Sequence, residues 1–119
     1  MHAGSSFLGL FTRELTGVAG VRGALIVSAD DGLVVAETST EELATADVAA
    51  LAAALVTRAG RLSSALHVAV PSSLHLLSER GALLAMAGPA PLWLVAVARH
   101  DAELGRLRLL LRDFAGALA

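Results

Sequence analysis

The chain contains no cysteine and no lysine, only three phenylalanines and one tryptophan, and its charge is nearly balanced. Each shortage removes a class of function. Without cysteine there is no disulfide framework, no thiolate metal site and no cysteine nucleophile, which fits a cytoplasmic protein. Without lysine, all nine basic residues are arginine, and a Walker A phosphate loop is excluded. A formal charge of −2 with so few rings offers neither the basic footprint nor the stacking platforms of a nucleic-acid binder. No nucleic-acid partner is expected.

Long apolar runs are also missing once glycine and proline are counted. Gly81–Ala98 is uncharged and near the length of a bilayer span, but Gly88, Pro89 and Pro91 interrupt it. It reads as two buried strands joined by a turn. The N-terminus, MHAGSSFLGLF, lacks the basic region and apolar run of a signal peptide. No membrane insertion is expected, and the 119 residues read as one cytoplasmic domain with a core over about residues 8–118.

What is present in excess is alanine and leucine, concentrated in Glu41–Ala65 (EELATADVAALAAALVTRAGRLSSA). At about 100° per residue, Ala44, Val48, Leu51, Leu55, Ala59 and Leu62 share one side of a long helix. That side is expected to face the core. The other side carries Ala46, Ala49, Ala50, Ala53, Thr57, Gly60 and Ser64, and no charge occurs between Asp47 and Arg58. A helix that is apolar all round is buried all round or meets something beyond its own domain. The small face is therefore expected to meet a partner, with Ala46, Ala49, Ala53, Thr57 and Gly60 at the contact. Ala53→Arg is expected to disrupt assembly.

Elsewhere the pattern is regular. Ser5 or Ser6 can cap a first helix ending near Leu15, with Leu8, Phe11, Leu15 and Val18 as its stripe. Two β-rich runs, Ala24–Ser28 and Leu33–Glu37, flank Asp30-Asp31-Gly32, a hairpin signal because Asp-Gly tolerates positive φ. Thr38–Thr40 lead to the long helix, where Ser39 with Glu42 or Thr38 with Glu41 can form a capping box. Strands follow at Leu74–Ser78, Ala82–Ala87 and Leu92–Arg99, the last apolar enough for a central position. Asp101 then caps a final helix with Leu104, Leu107, Leu111, Phe114 and Leu118 inward. Leu109 falls outside that stripe. The fold class is α+β, a five-stranded antiparallel sheet between helices in the order α-β-β-α-β-β-β-α.

Chemistry is hard to find. Gly17, Gly20 and Gly23 precede a strand instead of opening a helix, so they read as a connection and not as a phosphate loop. His2, His67, His75 and His100 lack metal-ligand spacing. Ser72 and Ser73 beside Pro71 lack the turn of a nucleophile elbow. The acidic pairs Asp30-Asp31 and Glu41-Glu42 suit a turn and a helix start. No catalytic residue, metal or cofactor is expected. Arg22, Arg58, Arg61 and Arg80 are placed so that one of them can act as an arginine finger on a GTPase; a solvated surface role is the simpler account.

The segments GVRGALIVSADDGLVVAE, DVAALAAALVTRAGRL, ERGALLAMAG and LWLVAVARHDAELGRLRLLLR, in this order, resemble the bacterial Roadblock/light-chain-seven superfamily. The similarity runs over roughly residues 8–118. It implies a profilin-like sandwich and a homodimer in which the long helices lie side by side and the third strands pair. That pairing would bring Leu74 and Leu76, on an edge strand with no lysine to guard it, to the interface. The resemblance further implies a non-enzymatic regulator or scaffold for a small Ras-like GTPase. Asp47, Ala50, Leu51, Ala54 and Arg58 would form its platform, and the nucleotide would belong to the partner. Some members modulate their GTPase through a C-terminal extension; these residues hold none, so that mode is not expected here. The alternative is a purely structural dimeric adaptor in a cytoskeletal, motility or signalling assembly.

Overall fold

The computed structural model describes residues 3–40 and 42–118. The hairpin signal becomes β1 (Val21–Ser28) and β2 (Val34–Ser39). The Gly81–Ala98 run divides into β4 (Ala82–Ala87) and β5 (Leu92–Ala98), turned at Gly88–Pro91, with β3 (Ser73–Leu77) before them. Three helices complete the chain: α1 (Ala3–Thr16), α2 (Thr45–Leu66) and α3 (Leu104–Leu118). All strand pairs are antiparallel, in the spatial order β2-β1-β5-β4-β3. The expected order of elements is the observed one, and β5 is central as its unbroken apolar run requires.

Successive residues of a strand point to opposite faces, and the two faces carry separate cores. Ala24 and Ile26 of β1, Leu84 of β4 and Leu94 and Ala96 of β5 meet α1 and α3. There Phe11, Leu15, Leu107 and Leu111 are fully buried. All three phenylalanines gather in this layer: Phe114 stands edge-on to Phe7 at 5.5 Å and to Phe11 at 5.4 Å, the arrangement favoured by the ring quadrupole. Leu25, Val27, Ala85, Trp93 and Val95 point the other way and meet α2 alone.

The hairpin departs from the simplest two-residue turn. Gly32 has φ +73° and its N–H donates to the Ser28 carbonyl at 2.8 Å. The Leu33 N–H donates to an Asp31 carboxylate oxygen at 3.1 Å. Register shifts between Ile26 and Val27, so Val35 is an extra residue on β2, a bulge.

Three helix starts differ from expectation. Ser5 and Ser6 lie inside α1, which begins at Ala3. In α2 the first helical residue is Thr45, the N-cap is Ala44 and no side chain caps it; the capping boxes do not form, and Glu41 lies outside the described residues. Leu43 supplies the reason. Its Cδ2 would stand 2.9 Å from a Cβ on Gly23, so this side chain occupies a slot over a glycine and is anchored there before the helix turns. α3 opens at Leu104, where the Leu107 N–H donates to the Glu103 carbonyl, so Asp101 stands three residues before the helix and is not its cap.

Candidate protein-interaction surface

The inward side of α2 is the small one. Ala49 is 0% exposed and Ala53 6%, with Ala52 and Ser63 also buried. Leu51 is 71% exposed and Leu62 60%. This overturns the expectation that Leu51 and Leu62 face the core, although Val48 of the same stripe does pack against it. The sheet explains it: Leu25, Val27, Trp93 and Val95 supply the bulk on this face, and alanines opposite let the helix lie close. The approach is tightest at the hairpin turn, where a Cβ on Gly32 would stand 3.4 Å from the Ala50 Cα and 3.7 Å from the Ala53 Cβ.

Of the residues expected at a dimer contact, Ala49 and Ala53 are therefore spent within the protomer. Gly60 and Leu74 are half-buried, Leu74 against the α2-side core. Ala46, Thr57 and Leu76 are exposed. Asp47, Ala50, Leu51, Ala54 and Arg58 all lie on the exposed outer side of α2.

The two flanks of that outer side differ. One faces the β1–β2 turn across an open groove of about 370 Å³, with Asp30 and Asp31 on one wall and Ala50, Thr57, Arg58 and Arg61 on the other. The opposite flank carries Leu51, Leu55, Leu62 and Leu66, of which only Leu55 is half-buried. The exposed apolar surface continues from there. His67 ends the helix in a left-handed conformation (φ 57°), and Val68 and Val70 follow, both exposed. Leu74 packs against the core on the α2 side of the sheet, so by strand alternation Leu76, two residues on and exposed, shares its face. β3 is a sheet edge with one side unpaired. A row of exposed aliphatic side chains beside an open edge makes this a candidate interaction surface.

Leu66, Val68 and Val70 extend the exposed apolar surface beyond the residues expected at a dimer contact. The available signal was the apolar run before Pro71, which no strand period claimed.

The Roadblock/LC7 domain matches residues 8–98, most of the chain. The protein belongs to the Roadblock/LC7 family. This Roadblock domain superposes on MglB in a tetrameric arrangement with a TM-score of 0.88 at 24% identity, covering 100% of this chain and 90% of that one. Myxococcus xanthus MglB gives 0.85 at 18% identity, over 98% and 94%. Schizosaccharomyces pombe profilin gives 0.64 at 15%, over 95% and 94%, which places the Roadblock fold beside the profilin sandwich. No curated protein sequence matches significantly. At these identities the likeness to solved structures is one of fold.

The arginines weighed as fingers do not converge. Arg58 and Arg61 line the groove on α2, whereas Arg22 and Arg80 line a depression at the other end of the sheet. No described helix is long and apolar enough to cross a membrane.

Proposed function

We propose that the protein is a non-enzymatic homodimeric adaptor that binds a small Ras-like GTPase and reads or modulates its nucleotide state. The observation that carries the dimer is the aliphatic flank of α2 running into the open β3 edge. Leu51, Leu62, Leu66, Val68, Val70 and Leu76 are all more than half exposed. Fully burying an aliphatic side chain of this size contributes roughly 1.5–3 kcal/mol, so a second copy laid against this flank gains substantially. Pairing β3 with its symmetry mate also satisfies edge backbone groups. That one structural relative, MglB, occurs in a tetrameric arrangement supports assembly in kind.

The GTPase reading rests on the family resemblance and on what dimerisation leaves uncovered. With the leucine flanks in contact, the outer side of each α2 remains, and the two helices form one surface. Ala50 and Ala54 make it flat, Asp47 and Arg58 give it charges of both signs, and Leu51 stands at its border with the dimer contact. Asp30, Asp31 and Arg61 rim it at the hairpin groove.

Light scattering on the purified protein tests the dimer, and a monomer at micromolar concentration would overturn it. Calorimetry with the host's Ras-like GTPases, each loaded with GDP and with a GTP analogue, tests the partner. State-selective binding is the expected result, because only differential affinity can read or shift a switch. Equal affinity for both states would leave a passive adaptor, and no binding to any of them would remove the GTPase from the reading.

A further inference from the structure

Three arginines that the α2 surface does not use meet at the far end of the sheet. Val21 pairs with Ala98, and Ala98 with Ala82. This register brings the start of β1, the exit of β5 and the β3–β4 turn into line. Arg22, Arg99 and Arg80 belong to those three segments in turn. With His100 and Asp101 they line an open depression of about 390 Å³.

The backbone at each arginine is anchored. The Arg22 carbonyl accepts from the Thr40 N–H at 2.9 Å and the Thr40 hydroxyl at 3.3 Å. Around Arg80, the Ser78 hydroxyl oxygen accepts from the Arg80 N–H at 3.3 Å and the Gly81 N–H at 3.1 Å. The Arg99 N–H donates to the Gly20 carbonyl at 2.8 Å, and its carbonyl accepts from the Ala102 N–H at 3.1 Å. Gly20, at φ +89°, has no room for a side chain: a Cβ would lie 2.7 Å from that of Ala102. The turn after β5 is thus seated directly on the connection into β1.

A chain of net charge −2 has gathered three guanidinium groups around one carboxylate. Each guanidinium is permanently charged and carries five N–H donors in a planar fork suited to phosphate oxygens. Arg22 and Arg99 also engage other groups of the chain. Among the described residues no phenylalanine, tyrosine or tryptophan lines the depression, and its lining is charged or hydrogen-bonding throughout.

We propose that this depression is a binding site for a multiply charged phosphate group, separate from the α2 surface. The ligand is either a soluble diphosphate or phosphomonoester, or the phosphorylated headgroup of a lipid. Asp101 opposes the anion and tunes its affinity downward.

The test is a titration with inorganic pyrophosphate at low ionic strength, followed by calorimetry and by NMR of the arginine Nε–H groups. Saturable binding is expected, with shifts at Arg22, Arg80 and Arg99, weakening as salt is added because the site is open. The double variant R80A/R99A is expected to lose about tenfold or more in affinity, from lost charge-assisted hydrogen bonds. D101N is expected to bind about two- to fivefold tighter. R58A/R61A, on the far groove, should bind as the parent does. Arg80 sits on an exposed turn, so R80E alone provides a variant whose fold circular dichroism can verify. The proposal fails if pyrophosphate does not saturate, if R80E and R80A/R99A bind unchanged, or if R58A/R61A weakens binding equally. Phosphatidylcholine vesicles with and without a phosphoinositide separate the sources. Sedimentation with phosphoinositide vesicles alone, competed by pyrophosphate, assigns the lipid headgroup; pyrophosphate binding without sedimentation assigns the soluble ligand.

Discussion

The two sides of the sheet use the same residue types in opposite ways. On the side of α1 and α3, the helices turn Phe11, Leu15, Leu107 and Leu111 inward and leave arginines and carboxylates outside. On the side of α2, a single helix turns Ala49, Ala52 and Ala53 inward and leaves leucines outside. The contrast teaches that leucine follows whatever covers it. Two helices of the same chain cover the first face, and they need bulk to fill the space between themselves and the sheet. One helix lying close on a bulky sheet needs little bulk beneath it, so its leucines serve a contact the protomer does not contain.

The harshest way to break this contrast is to put a charge where α2 is small. Ala53→Arg forces a guanidinium between α2 and the sheet, beside the hairpin turn. A loss of about 4 kcal/mol or more is expected, since an unpaired buried charge is among the few single changes of that size. Urea denaturation checks it, and a variant of parental stability would mean that Ala53 is not a core residue. Phe11→Ala attacks the closed side, removing a fully buried ring and its edge contact with Phe114. The expected loss is about 3–5 kcal/mol, read in the same denaturation experiment; an effect below 1 kcal/mol would show that the ring cluster contributes little.

Leu62→Arg changes the exposed side of α2 instead. The expectation is a monomer by light scattering, with protomer stability altered by only about 0.5 kcal/mol, as for other surface positions. The pairing with Ala53→Arg is decisive: one variant should unfold the protomer and the other should only separate protomers. If Leu62→Arg remains a dimer, the aliphatic flank is not the interface.

Much of this was legible in the sequence, and the part that was not has a physical cause. Strand periods, the Asp-Gly turn and the inward stripes of α1 and α3 are local patterns, and they give element order and fold class. The facing of α2 is not local. Both of its sides are apolar, and the choice between them depends on Trp93 and Val95, which reach the helix only after β5 has entered the sheet. The late start of α2 has the same origin, a tertiary contact of Leu43 over Gly23. Arg22, Arg80 and Arg99 lie far apart in the chain, and only strand register brings them together. The outer side of α2 was not readable from helix geometry alone, which turns Leu51 to the core; its residues came with the family resemblance, and its division into a leucine flank and a hairpin groove needed the fold.

A finer test separates an exposed leucine from an interface leucine. Leu109 on α3 is exposed, like Leu62 on α2, and hydropathy alone cannot rank them. Their neighbours do. Leu109 stands among Arg106, Arg108, Arg112 and Asp113, all exposed, on a helix whose buried stripe is already matched by α1 and the sheet. An exposed ion pair nearby, Arg106 to Glu103 at 3.7 Å, belongs to a solvated surface. Leu62 has Leu66 one turn on and Leu55 two turns back. Leu109→Ser is therefore expected to leave the molecular mass unchanged and stability within about 0.5 kcal/mol of the parent. Leu62→Ser is expected to weaken the dimer measurably in sedimentation equilibrium. Equal weakening by both would mean that the closed side of the sheet also meets a partner, and that covering by two helices does not distinguish the faces.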